Sequence, residues 1–154
     1  LKSGVLEDFG VYFDYKRLTF ELVKDYQITN CLSTRGLFLK IKDFKIIGGF
    51  YPKILPHYLS DYEFTIRAYN KKYQLITDNK LFLYVDEDTT GYHKIVSKTI
   101  KEYYGKYFSY RNVSNPIHWF FFICLVVPFP YKIYHIVKLF YRFIKDVTRP
   151  IIKK

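Results

Sequence analysis

The twenty residues from Gly48 to Arg67 read GGFYPKILPHYLSDYEFTIR, and they decide how the middle of the chain folds. The glycine pair at the start of this stretch is a helix terminator, so it ends a short helix that the pattern of Lys42–Ile47 predicts. Two prolines keep Phe50–His57 irregular. A second helix, predicted over Tyr62–Lys71, follows this loop. The stretch therefore predicts a helix, an irregular loop and a second helix.

Asp61 stands directly before the predicted N-terminus of that second helix. The helix dipole favours a carboxylate in a first helical turn, so helix physics alone makes Ser60 or Asp61 a capping residue. On the same grounds Glu63 is a solvated helix position, and Arg67, four residues later, is its ion-pair partner. Residue physics by itself thus gives Asp61 a structural role.

Short extended and helical patterns alternate in the rest of the body. Asn30–Leu39 is predicted to be a strand interrupted by a small polar turn, where Gly36 lets the backbone approach another group closely. Asp78-Asn79 is predicted to be a turn, and Asp86–Asp88 an acidic turn. The other predicted strands are Val5–Asp14, Leu18–Val23, Tyr73–Ile76 and Leu81–Val85, and a further helix is predicted at about Lys94–Tyr104.

Composition and charge narrow the class of protein. The 154 residues are 49% hydrophobic and 21% aromatic, which is too apolar for a disordered chain and enough for one cored domain. The formal charge of +11 favours anionic partners, but more than half of the excess lies from Phe129 onward. A nucleic-acid-binding body is therefore not expected. Cys31 and Cys124 are far apart and the four histidines form no close pair, so no metal site is predicted within this chain.

The last third of the chain holds an apolar segment and then an amphipathic one. Ile117–Val127 is nearly all apolar, but Pro128 and Pro130 end it before the roughly 20 residues that a membrane-spanning helix needs. Tyr131–Arg149 has a helical period. Its predicted polar stripe is Lys132, His135, Lys138, Arg142, Lys145 and Arg149, and its predicted apolar stripe is Ile133, Ile136, Val137, Phe140, Ile144 and Val147.

A helix with one basic and one apolar face is suited to an anionic membrane interface. Aromatic residues before it, Trp119 among them, suit the headgroup boundary. The alternative is a surface helix that packs against the body and leaves its lysines and arginines solvated. The residues predicted to contact a membrane are Trp119, Lys132, Lys138, Arg142 and Lys145.

The order of three short motifs resembles the C-terminal half of the family 2 glycosyltransferases. These motifs are Thr34–Phe38, Ile47–Phe50 and Ser60–Phe64 followed by Arg67. The family is an inverting one with a nucleotide-diphospho-sugar transferase fold, and it commonly shows a Gly-Gly-Phe turn before a helix that opens with Glu-Asp-x-Asp-Leu-x-x-Arg. The resemblance covers roughly residues 30–91. Ser60 departs from it by replacing the usual acid, and the Gln-x-x-Arg-Trp signature of processive synthases is absent, which implies addition of a single sugar.

The resemblance implies a catalytic role for Asp61, which falls on the family's general base. Such a base must be ionised to take the proton of the acceptor hydroxyl. Substrate-binding roles are implied for Arg35, Gly36, Gly49, His57 and Glu63. Arg35 and His57 also have structural interpretations, as a strand-end residue and as a packing residue. The implied partners are a nucleotide-sugar donor and a saccharide or lipid-linked acceptor. A divalent metal (Mg or Mn) is implied for the full enzyme, with ligands mostly outside this chain.

The expected fold is α/β: the C-terminal part of a Rossmann-like nucleotide-diphospho-sugar transferase (GT-A type) domain with a mixed sheet, followed by amphipathic helices. Residues 1–112 would be the acceptor-side part and residues 113–154 the membrane-associating tail. The absence of Met and of an Asp-x-Asp motif after a nucleotide-binding strand suggests that a donor-binding half is missing, so the isolated chain is expected to be inactive. The expected location is peripheral, at the cytoplasmic face of the cell membrane. The alternative function is a non-catalytic membrane-surface anchoring module.

Overall fold

The computed structural model describes residues 10–23, 29–78, 80, 95 and 97–152 of the chain. The described residues form five helices and one two-stranded antiparallel sheet, so the fold mixes α and β structure and is mainly helical. The chain divides into two compact units. The first unit comprises Leu1–Tyr51 and Ser60–Thr89, and the second comprises Pro52–Leu59 and Thr90–Lys154.

The sheet of the first unit is a hairpin of β1 (Val11–Asp14) and β2 (Thr19–Leu22). The Asp14 carboxylate closes the turn by accepting hydrogen bonds from the backbone N–H groups of Lys16 (2.7 Å) and Arg17 (3.1 Å). An aspartate that bonds to N–H groups two and three residues ahead is a common way to start a turn. The extended structure predicted at both strands is confirmed over these residues.

The predicted strand Asn30–Leu39 is wrong over most of its length. Only its start lies beside β1: Cys31 forms an isolated antiparallel bridge with Val11. The Asn30 side chain accepts from Phe13 N (2.7 Å) and donates to Phe13 O (3.1 Å). The chain then turns at residues 34–36, where Gly36 has φ of 76°, and this turn removes the following residues from the sheet.

Two short helices and their shared core complete the first unit as described. Helix α1 (Ile41–Ile47) ends at Gly48, whose φ of 107° suits glycine, so the predicted helix and its terminator are confirmed. Helix α2 (Ser60–Asn70) begins two residues before the predicted start. The buried core is formed by Ile47, Phe64 and Ala68, against which Leu37, Phe44, Tyr73 and Leu75 pack.

The strand predicted at Tyr73–Ile76 forms no ladder within the described residues, and its predicted partner strand lies outside them. The residues alternate as a strand would, with Tyr73 and Leu75 partly buried against the α1–α2 core, but they have no ladder partner among the described residues. Asp78 does form the predicted turn, because its carboxylate accepts from Lys80 N at 2.9 Å. The predictions for Leu81–Val85 and Asp86–Asp88 lie outside the described residues.

The second unit contains the helices α3 (Ile100–Tyr107), α4 (Pro116–Val126) and α5 (Tyr131–Ile152). Helix α3 begins later than the predicted Lys94 because Thr99 caps it, with its hydroxyl accepting from Glu102 N at 3.1 Å. Helix α4 is capped in the same manner by Asn115, whose side chain accepts from Ile117 N at 2.9 Å. The helix predicted from Tyr131 is confirmed. None of the helices in the described part of the chain has the length and apolar character needed to span a bilayer.

Candidate active site

Asp61 lies in the first turn of α2 and faces the turn formed by residues 34–36. Its Oδ1 accepts a hydrogen bond from Tyr62 N (2.9 Å), and its Oδ2 accepts a longer one from Thr34 N (3.4 Å). The side chain is half-buried. The two segments that the sequence motifs singled out, Thr34–Phe38 and Ser60–Phe64, thus meet at this carboxylate.

Thr65 explains why these two segments meet. Its buried hydroxyl accepts from Leu32 N at 3.0 Å and lies 3.1 Å from Leu32 O and 2.9 Å from Asp61 O. The hydroxyl has one proton to donate, so it serves one carbonyl at a time while it accepts from Leu32. Thr65 is one helical turn after Asp61 and therefore ties the start of α2 to the chain just before the Thr34 turn.

The environment of Asp61 disfavours its ionised form. Burial raises the pKa of the Asp61 carboxyl, and this effect outweighs the N–H donors of Tyr62 and Thr34 and the charge of Arg35, which all lower it. A carboxylate that simply capped a helix would gain more from the N–H groups than it lost in hydration, and its pKa would fall. The raised pKa of Asp61 is instead the direction expected where lost hydration outweighs the hydrogen bonds to the carboxylate.

Arg35 and Gly36 lie in the turn that faces Asp61. The Arg35 side chain is exposed, and its positive charge lowers the pKa of the Asp61 carboxyl. Gly36 has φ of 76°, a conformation that favours glycine. An exposed cation beside a half-buried carboxylate can attract an anionic substrate group while the carboxylate stays available to a hydroxyl.

Glu63 lies two residues after Asp61 in α2 and forms a buried ion pair with Arg67, which also bonds to Gly49. We call this set of contacts around Arg67 the brace. Glu63 and Arg67 form a two-fold contact, with Nε–Oε1 at 2.8 Å and Nη2–Oε2 at 2.9 Å. Arg67 also donates to Ile47 O (2.6 Å), at the end of α1, and to Gly49 O (2.5 Å), just after it. The ion pair predicted between Glu63 and Arg67 is confirmed. The prediction that Glu63 is solvated is wrong, since the residue is 2% exposed.

The brace requires glycine at the end of α1. A Cβ atom at Gly48 would lie 3.0 Å from Arg67 Nη1, and the residue also has a positive φ. The Arg67 guanidinium lies over the Tyr51 ring at 4.6 Å, which adds a cation–π contact. Glu63 and Gly49 thus hold the loop start in place, and their predicted contact with substrate stays a prediction.

His57 belongs to the second unit. Its ring lies 4.6 Å from the Tyr58 ring and 6.2 Å from the Tyr110 ring, measured between centroids. Burial lowers the pKa of His118, and the nearby His57 lowers it further. Within the described residues, the Tyr58 hydroxyl and His118 Nδ1 are buried and have no hydrogen-bond partner. Sequence reasoning did not single out Tyr58 or His118, because neither stands in a motif.

The predicted membrane-contacting residues are placed differently from one another. Trp119 is half-buried and donates from Nε1 to Val113 O at 3.0 Å, so its polar edge is satisfied inside the second unit. Lys132 is half-buried, while Lys138, Arg142 and Lys145 are exposed. The prediction that His135 belongs to an exposed polar stripe is wrong. The residue is 1% exposed, because α5 packs through the side on which His135 lies.

Sequence reasoning also missed Thr65 and the backbone N–H of Thr34 as parts of the site. The sequence held no local signal for either group, because Thr65 bonds to Leu32, 33 positions earlier in the chain. Comparison with protein-family models, with curated proteins and with solved structures found no match to this chain. In the described part of the chain, no group of three or more His, Cys, Asp or Glu side chains is arranged to hold a metal ion.

Proposed function

We propose that this chain is the acceptor-side part of an inverting, nucleotide-sugar-dependent glycosyltransferase of the Rossmann-like GT-A type, and that Asp61 is its general base. The observation that supports this most is the placement of Asp61: a half-buried carboxylate with a raised pKa, at a helix start, beside the exposed Arg35. Proton transfer from an acceptor hydroxyl needs a carboxylate that substrate can reach.

The reaction would be a direct displacement at the anomeric carbon of the donor sugar. The acceptor hydroxyl oxygen forms the new bond to that carbon, the bond to the diphosphate breaks, and the hydroxyl proton passes to Asp61. A pKa above the ordinary value brings the base closer to the working pH, which favours proton transfer as long as the group is still ionised. The divalent metal that the resemblance implies would stabilise the departing diphosphate, with ligands mostly outside this chain.

The three motifs that carry the resemblance all lie in the first unit. The resemblance rests on the order of three motifs, and the structure brings two of them, residues 34–38 and 60–64, to the same carboxylate. The third motif, Ile47–Phe50, is joined to α2 by the Arg67 brace. A single folding unit that unites all three motifs is what a substrate site built from them would need.

The test is the transfer activity of the enzyme that contains this chain, measured as nucleoside diphosphate release from a panel of nucleotide sugars with saccharide acceptors. Asp61→Asn should lower kcat by about 10²–10⁴-fold, the usual contribution of a general base, while donor affinity persists. Asp43→Asn is the matched control, because Asp43 is also in the first turn of a helix. Near-normal turnover of Asp61→Asn would refute the assignment, and an equal loss in both variants would reduce Asp61 to a helix-start residue.

The second candidate function is a non-catalytic module that anchors a partner at a membrane surface. The observation that favours it is the exposed apolar stripe of α5, described below. It predicts that Asp61→Asn changes no measurable function and that removal of Tyr131–Lys154 abolishes all of it. The two candidates therefore differ in the effect of one conservative substitution.

A further inference from the structure

Helix α5 packs against its own unit through one side only. His135 is almost fully buried, and Phe143 contacts Phe108 with ring centroids 6.3 Å apart. Two tyrosines of α3 fix the far end: Tyr103 donates to Asp146 O (3.0 Å) and Tyr104 donates to Val147 O (2.8 Å). These contacts set the rotation of α5 about its axis and so decide which of its residues face outward.

The outward side of α5 is apolar. At 100° per residue, its large exposed apolar residues fall within about a third of the helix circumference. Val137 is 64% exposed and Phe140 is 62% exposed. The set is Ile133, Tyr134, Val137, Phe140, Tyr141 and Ile144. A contiguous stripe of this size is not explained by the scattered apolar residues found on every protein surface.

Basic side chains border this stripe. Lys138 and Lys145 are exposed and follow each other at a spacing of seven residues, which places them together along one edge of the stripe. Arg142 is exposed beside them, and its Nε lies 3.7 Å from the carboxylate of Asp146. Asp146 is the one acidic residue of α5. The outward face therefore combines apolar and cationic surface and carries little negative charge.

Helix α4, which packs against α5, also exposes apolar residues. Ile117, Phe120 and Leu125 are exposed, and Phe129 follows in the connection to α5. Ile117, Phe120 and Leu125 lie on one side of α4. The second unit thus exposes apolar side chains from both helices.

We propose that the outward face of α5 is a docking surface for an anionic lipid bilayer, in which the helix lies in the plane of the interface. Its apolar stripe would enter the boundary between headgroups and acyl chains, and Lys138, Arg142 and Lys145 would contact the phosphates. Charge complementarity selects this occupant over a neutral apolar partner, because the stripe is bordered by cations. The inference does not rest on the proposed glycosyl transfer, since membrane binding is measured without donor or acceptor.

The test is co-sedimentation of the purified chain with vesicles of phosphatidylcholine and phosphatidylglycerol in equal parts, compared with vesicles of phosphatidylcholine alone. The wild-type chain should bind the anionic vesicles and lose most of this binding at high salt. Phe140→Ser should lower the partition coefficient by about tenfold. Lys138→Gln combined with Lys145→Gln should lower it by about fivefold for each lysine removed.

Phe38→Ser is the matched control, because Phe38 is an equally large and even more exposed phenylalanine in the first unit. It should leave vesicle binding unchanged. Circular dichroism of every variant verifies that α5 stays helical, and the double lysine variant tests the proposal independently of any folding defect in Phe140→Ser.

Three results would overturn the proposal. The first is absence of binding to anionic vesicles, and the second is an equal loss of binding in Phe38→Ser and Phe140→Ser. The third is a wild-type chain that is dimeric without lipid and becomes monomeric on Phe140→Ser while its vesicle binding is unchanged, since the face would then bind a second copy.

Discussion

Helices α2 and α5 carry similar mixtures of apolar and charged residues, but the protein uses them in opposite ways. Helix α2 buries its apolar residues Phe64 and Ile66 and even a charged one, Glu63. Helix α5 leaves Val137 and Phe140 in solvent and buries His135 instead. One helix therefore completes a core, and the other presents its apolar side outward.

This difference shows what a helical period does and does not determine. The spacing of apolar residues predicts that a segment is a helix with two unlike faces. It does not determine which face packs, because that depends on the hydrogen-bonding and apolar groups of the neighbouring elements. Helix α2 faces the end of α1, where Arg67 donates to the carbonyl of Ile47. Helix α5 faces α3, where the Tyr103 hydroxyl donates to the carbonyl of Asp146.

The largest expected effects are losses of stability, and the first concerns the buried brace of α2. Arg67→Met should lower the free energy of unfolding by about 3–5 kcal/mol, because it leaves the Glu63 carboxylate buried without a cation and removes the guanidinium donor from Ile47 O and Gly49 O. The measurement is urea unfolding followed by far-ultraviolet circular dichroism. Changing both residues, Glu63→Leu with Arg67→Met, should restore part of this loss, since no buried charge then remains.

Lys71→Met is the control for that prediction. Lys71 Nζ also bonds to carbonyls of α1, Ile46 O at 2.8 Å and Ile47 O at 3.3 Å, but the side chain is exposed. Its loss should change the free energy of unfolding by less than about 1 kcal/mol. If both substitutions lowered the free energy of unfolding equally, burial of the Glu63–Arg67 pair would not add to its contribution to stability.

The second prediction compares one phenylalanine from each helix. Phe64 is 1% exposed in the first-unit core, so Phe64→Ala should cost about 3–5 kcal/mol through lost burial and the cavity that remains. Phe140→Ala should change stability by no more than about 0.5 kcal/mol, because the ring is already in water and alanine is the better helix former. A large loss in Phe140→Ala, measured by the same unfolding experiment, would mean that the α5 stripe packs inside the protein.

Local signals in the sequence predicted a good part of the fold. The glycine pair that ends α1, the proline loop and the start of α2 were all predictable, because each depends on a few neighbouring residues. In the described part of the chain, Asn30–Leu39 pairs only at Cys31 and Tyr73–Ile76 pairs with nothing, and a strand exists only where a partner strand supplies its hydrogen bonds. Whether a partner is present is a property of the tertiary structure, which alternation of side chains cannot report.

The candidate site was predictable as a set of residues but not as an arrangement. Motif order pointed to Arg35 and Asp61, and the structure places the turn that contains Arg35 against the Asp61 carboxylate. The role of Thr65 in joining the two segments depends on a contact between residues 33 positions apart, so it could not be read from local sequence. Burial of Glu63 was missed for the same reason.

The smallest expected effect tests which of two roles Asp61 has. The pKa of its carboxyl is raised by burial above the ordinary value of 3.8, so the folded state favours the protonated form. The resulting stabilisation is fully present at pH values below the unfolded pKa and is lost as the pH rises through the folded pKa. Asparagine resembles the protonated acid at every pH and can keep the shorter bond, from Tyr62 N.

Asp61→Asn should therefore be as stable as the wild type at low pH and equally or more stable at neutral pH. The measurement is the difference in free energy of unfolding between the two chains across the pH range from below 3.8 to 7. A helix-capping carboxylate gives the reverse, a variant that loses about 0.5–2 kcal/mol at neutral pH and recovers as the pH falls. Stability gained by removing the charge would mean that the protein retains Asp61 for a reason other than its fold. Proton transfer from an acceptor hydroxyl would supply that reason.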